Sequence, residues 1–265
     1  MMLTGIFDYH AHYDDPKFDG DRAQVLARVH EGGVEYIINA GADLETSRSS
    51  IRLAEEFPFV YAVVGVHPQD AQDAPEDYLA RLEEMAAHPK VVGIGEIGLD
   101  YHYDYSPRSQ QKEAFRAQLR LAADLGLPVI IHQREAEEDV LEILDRAGPL
   151  RYGGVLHCFS GSLATLDSCL ALNLSVGLGG MVTFAKAEAV RAAARAVPLE
   201  RLVLETDCPY LTPHPHRGKT NQPAYLPLVA AQISRLRDIE EGELIEACKE
   251  NAQALFGLAK RIKGR

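Results

Sequence analysis

Short apolar runs rich in β-branched residues alternate along this chain with longer stretches in which apolar positions recur at helical spacing. Eight runs read as strands: Gly5 to Tyr9, Tyr36 to Ala40, Val60 to Val66, Val91 to Glu96, Pro128 to His132, Gly154 to His157, Leu174 to Gly177 and Leu202 to Glu205. Between them, Asp21 to Glu31, Thr46 to Phe57, Pro75 to Ala87 and Pro107 to Leu125 read as helices. In the last of these, Phe115, Leu119, Ala122 and Ala123 form one apolar stripe, Ser106 reads as the N-cap before Pro107, and Gly126 reads as the stop. Strand then helix, repeated, predicts parallel strands joined by crossover helices. Eight such units in 265 residues, without a Pro/Gly/Ser-rich linker, predict one α/β domain over residues 1–265. The expected architecture is a (β/α)8 TIM barrel closed by C-terminal helices around Pro227 to Leu236 and Glu243 to Leu255. An open doubly wound sheet is the alternative. No glycine-rich dinucleotide or P-loop motif follows any strand, which removes the usual support for a nucleotide-cofactor enzyme.

An apolar fraction of 46% and a charged fraction of 25% allow a sizeable core. The formal net charge of -12 argues against non-specific wrapping of duplex nucleic acid, because most of the surface would repel phosphates. A local basic segment, His214 to Lys219, could still meet a phosphate, whereas the basic tail Lys260 to Arg265 reads as a solvated end. The opening residues carry neither a basic n-region nor an apolar h-region, and no run of about 18 apolar residues occurs. A cytoplasmic protein without membrane association is therefore expected, with the oligomeric state open and a monomer compatible. Cys158, Cys169, Cys208 and Cys248 include no Cys-x-x-Cys pair, so neither a disulfide framework nor a thiolate zinc site is expected.

The chemistry collects at the strand ends. Asp8, His10 and His12 occupy alternate positions at the end of the first run, which places all three on one side of an ideal strand. Glu96, His132 and His157 end later runs and Asp207 follows the last, so a barrel would gather them on its C-terminal face. Buried ionisable groups need partners, and a metal supplies one. Histidines mixed with carboxylates match Zn, Mn or Fe centres better than the all-oxygen set typical of Mg. His67 before Pro68, Arg134 and Arg217 are candidate substrate contacts, since Arg forks onto phosphate oxygens. Glu205, one layer below Asp207, reads as a hydrogen-bonding support for the ligands, as does Asp8. Cys158 and Cys208 directly follow ligand candidates but have no assigned base, which argues against a nucleophile.

Taken together, Asp8-Tyr9-His10-Ala11-His12, Gly65-Val66-His67-Pro68, Gly95-Glu96-Ile97-Gly98-Leu99-Asp100-Tyr101, Ile131-His132-Gln133-Arg134, His157-Cys158-Phe159-Ser160-Gly161 and Glu205-Thr206-Asp207-Cys208-Pro209-Tyr210 resemble the TatD family of metal-dependent deoxyribonucleases. The resemblance runs in order from about Phe7 to Gly257. It implies an amidohydrolase-like barrel with two divalent cations, Zn, Mn or Mg. His10, His12, Glu96 and Asp207 would hold one, Glu96, His132 and His157 the other, and Glu96 would bridge them. No Lys ends the fourth run, so a carbamylated-lysine bridge is not available. The implied reaction is phosphodiester hydrolysis by metal-activated water at DNA or RNA ends, as a 3′–5′ exonuclease, with Glu96 and Asp207 as catalytic residues. One loop departs from the family: Arg217-Gly218-Lys219-Thr220-Asn221-Gln222-Pro223 carries Thr220 and Gln222 where Arg and Glu are usual. That keeps open hydrolysis of small-molecule or aminoacyl ester and amide substrates, and a non-catalytic metal-binding scaffold as the reading from another class.

Overall fold

Each apolar run becomes a strand of one parallel eight-stranded sheet in which the strands lie side by side in chain order. The computed structural model describes residues 4–258. Its strands are β1 (Ile6–Ala11), β2 (Val34–Ala40), β3 (Val60–Val64), β4 (Val91–Asp100), β5 (Val129–Arg134), β6 (Gly154–Leu156), β7 (Leu174–Leu178) and β8 (Leu202–Leu204). The helices between them are α1 (Arg22–Glu31), α2 (Leu44–Glu56), α3 (Tyr78–Ala86), α4 (Arg108–Leu125), α5 (Glu137–Ala147), α6 (Leu163–Ala171) and α7 (Glu188–Ala196). After β8 come α8 (Leu226–Arg237) and α9 (Glu241–Leu255). The chain is thus a (β/α)8 barrel in which α8 completes the eighth unit and α9 is one further C-terminal helix. The basic tail from Lys260 onward lies outside the described residues, and among those described no helix is long and apolar enough to cross a membrane.

The barrel closes between β8 and β1 through a parallel bridge at Ala11 and Cys208 rather than a full ladder. His12 N donates to the Cys208 carbonyl at 2.8 Å and Asp207 N to the His10 carbonyl at 3.0 Å. Asp8 adds a side-chain clasp, accepting from Thr206 N at 2.9 Å and from Thr206 Oγ1 at 2.5 Å. Strands covered on both faces read as continuous apolar runs, which is why the pattern lacked alternation. Phe7, Tyr9, Ile38, Val63, Val92, Ile130, Val155 and Val203 fill the interior with Ala252, Phe256 and Leu258, so the end of α9 plugs the barrel.

Three local expectations are corrected. The N-cap position of α4 is Pro107, not Ser106, because the Ser106 hydroxyl is engaged elsewhere, donating to the Gln69 carbonyl at 2.7 Å and accepting from Gln72 N at 3.0 Å. The buried face of α4 runs through Gln111, Ala114, Phe115, Gln118, Leu119 and Ala122, while Ala123 is exposed. Helical rotation of about 100° per residue carries position 123 off that stripe. The strict alternation expected for Asp8, His10 and His12 also fails. Asp8 pairs with Ile37 but Ala11 pairs with Asn39, so β1 carries one extra residue between them. Ile37 and Ala11 belong to the outer, helix-facing core, which puts Asp8 on that side and leaves Tyr9 and His10 together facing inward. A bulge, not a regular pleat, aims His10 at the barrel mouth.

Candidate metal centre

Strands β1, β4 and β5 and the residues that follow β1, β6 and β8 bring His10, His12, Glu96, His132, His157 and Asp207 into one cluster. His10 Nε2 lies 3.3 Å from Glu96 Oε2 and 3.7 Å from Asp207 Oδ1. His12 Nε2 lies 3.6 Å and 3.4 Å from the same two oxygens. The other carboxylate oxygen, Glu96 Oε1, is 2.8 Å from both His132 Nδ1 and His157 Nε2. Glu96 is therefore shared by two groups of donors, His10–His12–Glu96 and Glu96–His132–His157, each with ligand atoms within 4.8 Å of one another.

The donor chemistry fits cations. His10 Nε2 faces His12 Nε2 at 3.1 Å, and His132 Nδ1 faces His157 Nε2 at 3.2 Å. His12 Nδ1 lies 3.1 Å from the Ala40 carbonyl, which can only accept, so Nδ1 carries the proton and Nε2 presents a lone pair. Two imidazole nitrogens facing each other at such distances repel unless something positive lies between them. Burial opposes ionisation of Glu96, yet the His157 and His10 imidazoles hold its carboxyl well below the usual range. Burial likewise opposes ionisation of Asp207, and the neighbouring His12, His157 and His10 imidazoles outweigh it, so this carboxyl also stays below its ordinary value.

The supporting residues have distinct partners. Glu205 accepts from the Tyr9 hydroxyl and from Cys158 N, the latter at 2.6 Å, and its Oε2 stands 3.6 Å from His157 Nδ1. Asp8 touches Thr206 and the His10 backbone and no ligand side chain; complete burial raises its carboxyl to about 7. His67 lies inside the cluster, with Nε2 3.8 Å from Glu96 Oε1. Its Nδ1 accepts from Gln69 N at 3.2 Å, so Nε2 bears the proton and aims it into the site. Burial, with the neighbouring His132, lowers its pKa to about 3 and keeps it a neutral donor. Arg134 is exposed at the rim, its guanidinium 4.9 Å from the Tyr103 ring centre. Arg217 instead holds its own loop, donating to the Thr212 carbonyl at 2.9 Å and lying over the Phe184 ring. Burial drives the Cys158 thiol well above its ordinary value, which disfavours a thiolate there.

Some residues at the site were not singled out from the sequence. Asp100 Oδ2 stands 3.2 Å from His132 Nε2 and accepts from Gln69 Nε2 at 2.8 Å, while Oδ1 accepts from the backbone of His102 and Tyr103. A proton on His132 Nε2 leaves Nδ1 free to face Glu96 and His157. Gln111 and Gln118, one above the other on α4, pin the backbone of Asp100 and Val66 and so set the end of β4 that bears Asp100 and the segment that bears His67. Amides interrupting an apolar helical stripe were the signal available for them. Asp100→Asn should weaken metal binding by roughly 10- to 100-fold, the usual effect of losing a ligand's orienting partner. Titration against a chromogenic chelator measures it, and wild-type affinity in the variant would remove Asp100 from this role.

Comparison with known proteins follows the same geometry. Residues 7–257 match the family model described as TatD related DNase. The chain is 45% identical over 251 residues to the metal-dependent hydrolase YabD of Bacillus subtilis, covering 95% of this chain and 98% of that one. It is 39% identical to the 3′-5′ ssDNA/RNA exonuclease TatD of Edwardsiella piscicida, covering 92% and 96%. The crystal structure of YjjV, a TatD homolog from Escherichia coli, superposes with a TM-score of 0.90 at 33% identity, covering 97% of this chain and 99% of that chain.

Proposed function

Since the chain belongs to the TatD family of related DNases and is a metal-dependent hydrolase, we propose that it removes nucleotides from the 3′ ends of single-stranded DNA or RNA. The observation that carries this reading is the carboxylate of Glu96, each of whose oxygens faces its own pair of imidazoles. A shared carboxylate of this kind suits two cations a few ångströms apart, the arrangement used for in-line displacement at phosphorus. His10, His12, Glu96 and Asp207 would hold one cation, and Glu96, His132 and His157 the other. When bound, the pair supplies Lewis acidity to the phosphoryl oxygen and makes water easier to deprotonate.

The remaining roles fall to the protein's own groups. Asp207, with its side chain 15% exposed at the mouth, is placed to orient the attacking water and accept its proton. The neutral Nε2–H of His67 points where a phosphate oxygen would lie, a donor for negative charge that builds up during displacement. Glu205 and Asp8 hold the surrounding backbone, Glu205 through Cys158 and Asp8 through Thr206. Arg134 and Arg217 are retained as substrate contacts, Arg134 at the rim and Arg217 at the edge of the departing loop. We take residues 1–265 as one catalytic domain for which a monomer suffices, acting in the cytoplasm, in keeping with four cysteines present as free thiols.

A 5′-labelled single strand should shorten as a ladder from its 3′ end, stop on addition of chelator, and resume when divalent cation is restored. Intact strands under all these conditions, alongside rapid cleavage of ester or amide substrates, would overturn this reading in favour of small-molecule hydrolysis.

A further inference from the structure

Four of the five exposed large apolar side chains among the described residues lie in segments that follow strand ends, on the face that carries the candidate metal centre: Tyr103 and Tyr105 after β4, Leu163 at the start of α6, and Tyr210 after β8. The tyrosines form two groups on opposite sides of the mouth, since β4 lies across the barrel from β8 and β1. On the first side, the Tyr103 and Tyr105 rings stack with centres 5.4 Å apart and planes 27° apart, and the Arg134 guanidinium lies 4.9 Å from the Tyr103 ring centre. On the second, the Lys17 ammonium lies 4.3 Å from the Tyr210 ring centre, and the Tyr210 hydroxyl donates to Asp15 at 2.6 Å.

Both groups are tied to the metal-ligand candidates. Tyr103 N bonds to Asp100, whose other oxygen meets His132. Tyr210 N bonds to the Asp207 carbonyl at 2.8 Å, and its ring stands 6.5 Å from that of His12. Exposed rings grouped in this way offer an apolar face to a ligand, and here each group carries a cation, Arg134 against Tyr103 and Lys17 against Tyr210, on a protein whose net charge is -12. A planar, apolar face beside a positive charge matches a base joined to its phosphate. Every base has such a face, and only unpaired bases present it, because those in a duplex stack on one another.

We propose that Tyr103–Tyr105 with Arg134, and Tyr210 with Lys17, are two base-stacking subsites that hold unpaired nucleotides on either side of the scissile bond. The assignment rests on the nuclease reading and gives the single strand two separate sites of base contact at the mouth. Binding at these subsites should show no sequence preference, since stacking reads no base edge.

The test uses the full chain and a single-stranded decamer, with a second decamer lacking bases but keeping every phosphate. Tyr103→Ala/Tyr105→Ala should raise the KM for the decamer by about tenfold or more, with the loss in KM and not in kcat. Tyr105→Phe keeps the ring and should keep the wild-type KM. On the abasic decamer the wild type should lose the advantage that it holds over the double variant. Equilibrium binding of the decamer in chelator, where no cleavage occurs, should show the same difference. An unchanged KM in the double variant, or an equal loss on both decamers, would overturn the proposal. A wild type that binds the decamer more tightly than the abasic strand yet cleaves neither would support the subsites while removing the nuclease reading. Cleavage with no preference for bases would do the reverse.

Discussion

Glu96→Gln is expected to disable both halves of the centre at once. The Glu96 oxygens stand 2.8 Å from His132 Nδ1 and His157 Nε2 and 3.3 Å from His10 Nε2, in a side chain only 5% exposed. An amide would turn an N–H toward one of those imidazole pairs and remove the negative charge that both cations would share. Breaking a buried charge pair costs about 3–5 kcal/mol, so metal affinity should fall by roughly two to four orders of magnitude. Strand degradation should fall by about a thousandfold or more at metal concentrations that saturate the wild type. Elemental analysis of the dialysed variant beside the wild type, paired with rates on an end-labelled strand, measures both. Two tightly bound metals in Glu96→Gln would exclude the bridge.

Asp207→Asn should act differently, because this residue stands at one edge of the cluster and not at its centre. Its backbone adopts φ 56, a left-handed conformation that Asn tolerates as well as Asp, so the variant should keep the wild-type fold. The half of the centre formed by Glu96, His132 and His157 should keep its cation. In the proposed role the variant loses the carboxylate that would accept a proton from water, and kcat should drop by roughly 10²- to 10⁴-fold. The KM for the strand should change little, since no substrate contact is removed. Full turnover in a variant with metals bound would show that Asp207 is not the group that accepts the proton.

Much of the centre was legible because a barrel imposes simple geometry on sequence. Glu96, His132 and His157 each follow an apolar run, and parallel closure gathers such positions on one face wherever they fall in the chain. What escaped detection depends on departures from regular structure. β4 extends past Glu96, where the apolar run was taken to end, to Asp100, so Asp100 is part of the strand and in contact with His132. The bulge in β1 reverses the side of Asp8 and turns it from a neighbour of His10 into a clasp on Thr206. Gln111 and Gln118 look like breaks in an amphipathic stripe until the loops they pin are in place. The partners of Arg217, proposed as a substrate contact, also come from the fold: it packs on Phe184, more than thirty residues away, and bonds to the Thr212 carbonyl of its own loop.

The sequence by itself determined the periodicity, and through it the eight strand and helix units, the closed barrel and the types of residue at each strand end. Those depend on local spacing and on the burial of apolar side chains, both of which are written along the chain. Tertiary structure alone decided which lone pairs meet. The Glu96 carboxylate is divided between two imidazole pairs, His12 and His132 are each held in one tautomer by a distant oxygen, and two groups of tyrosines stand across the mouth from each other. The physical reason is directional: a hydrogen bond or a ligand requires distance and angle between atoms far apart in sequence, and only the closed barrel supplies them.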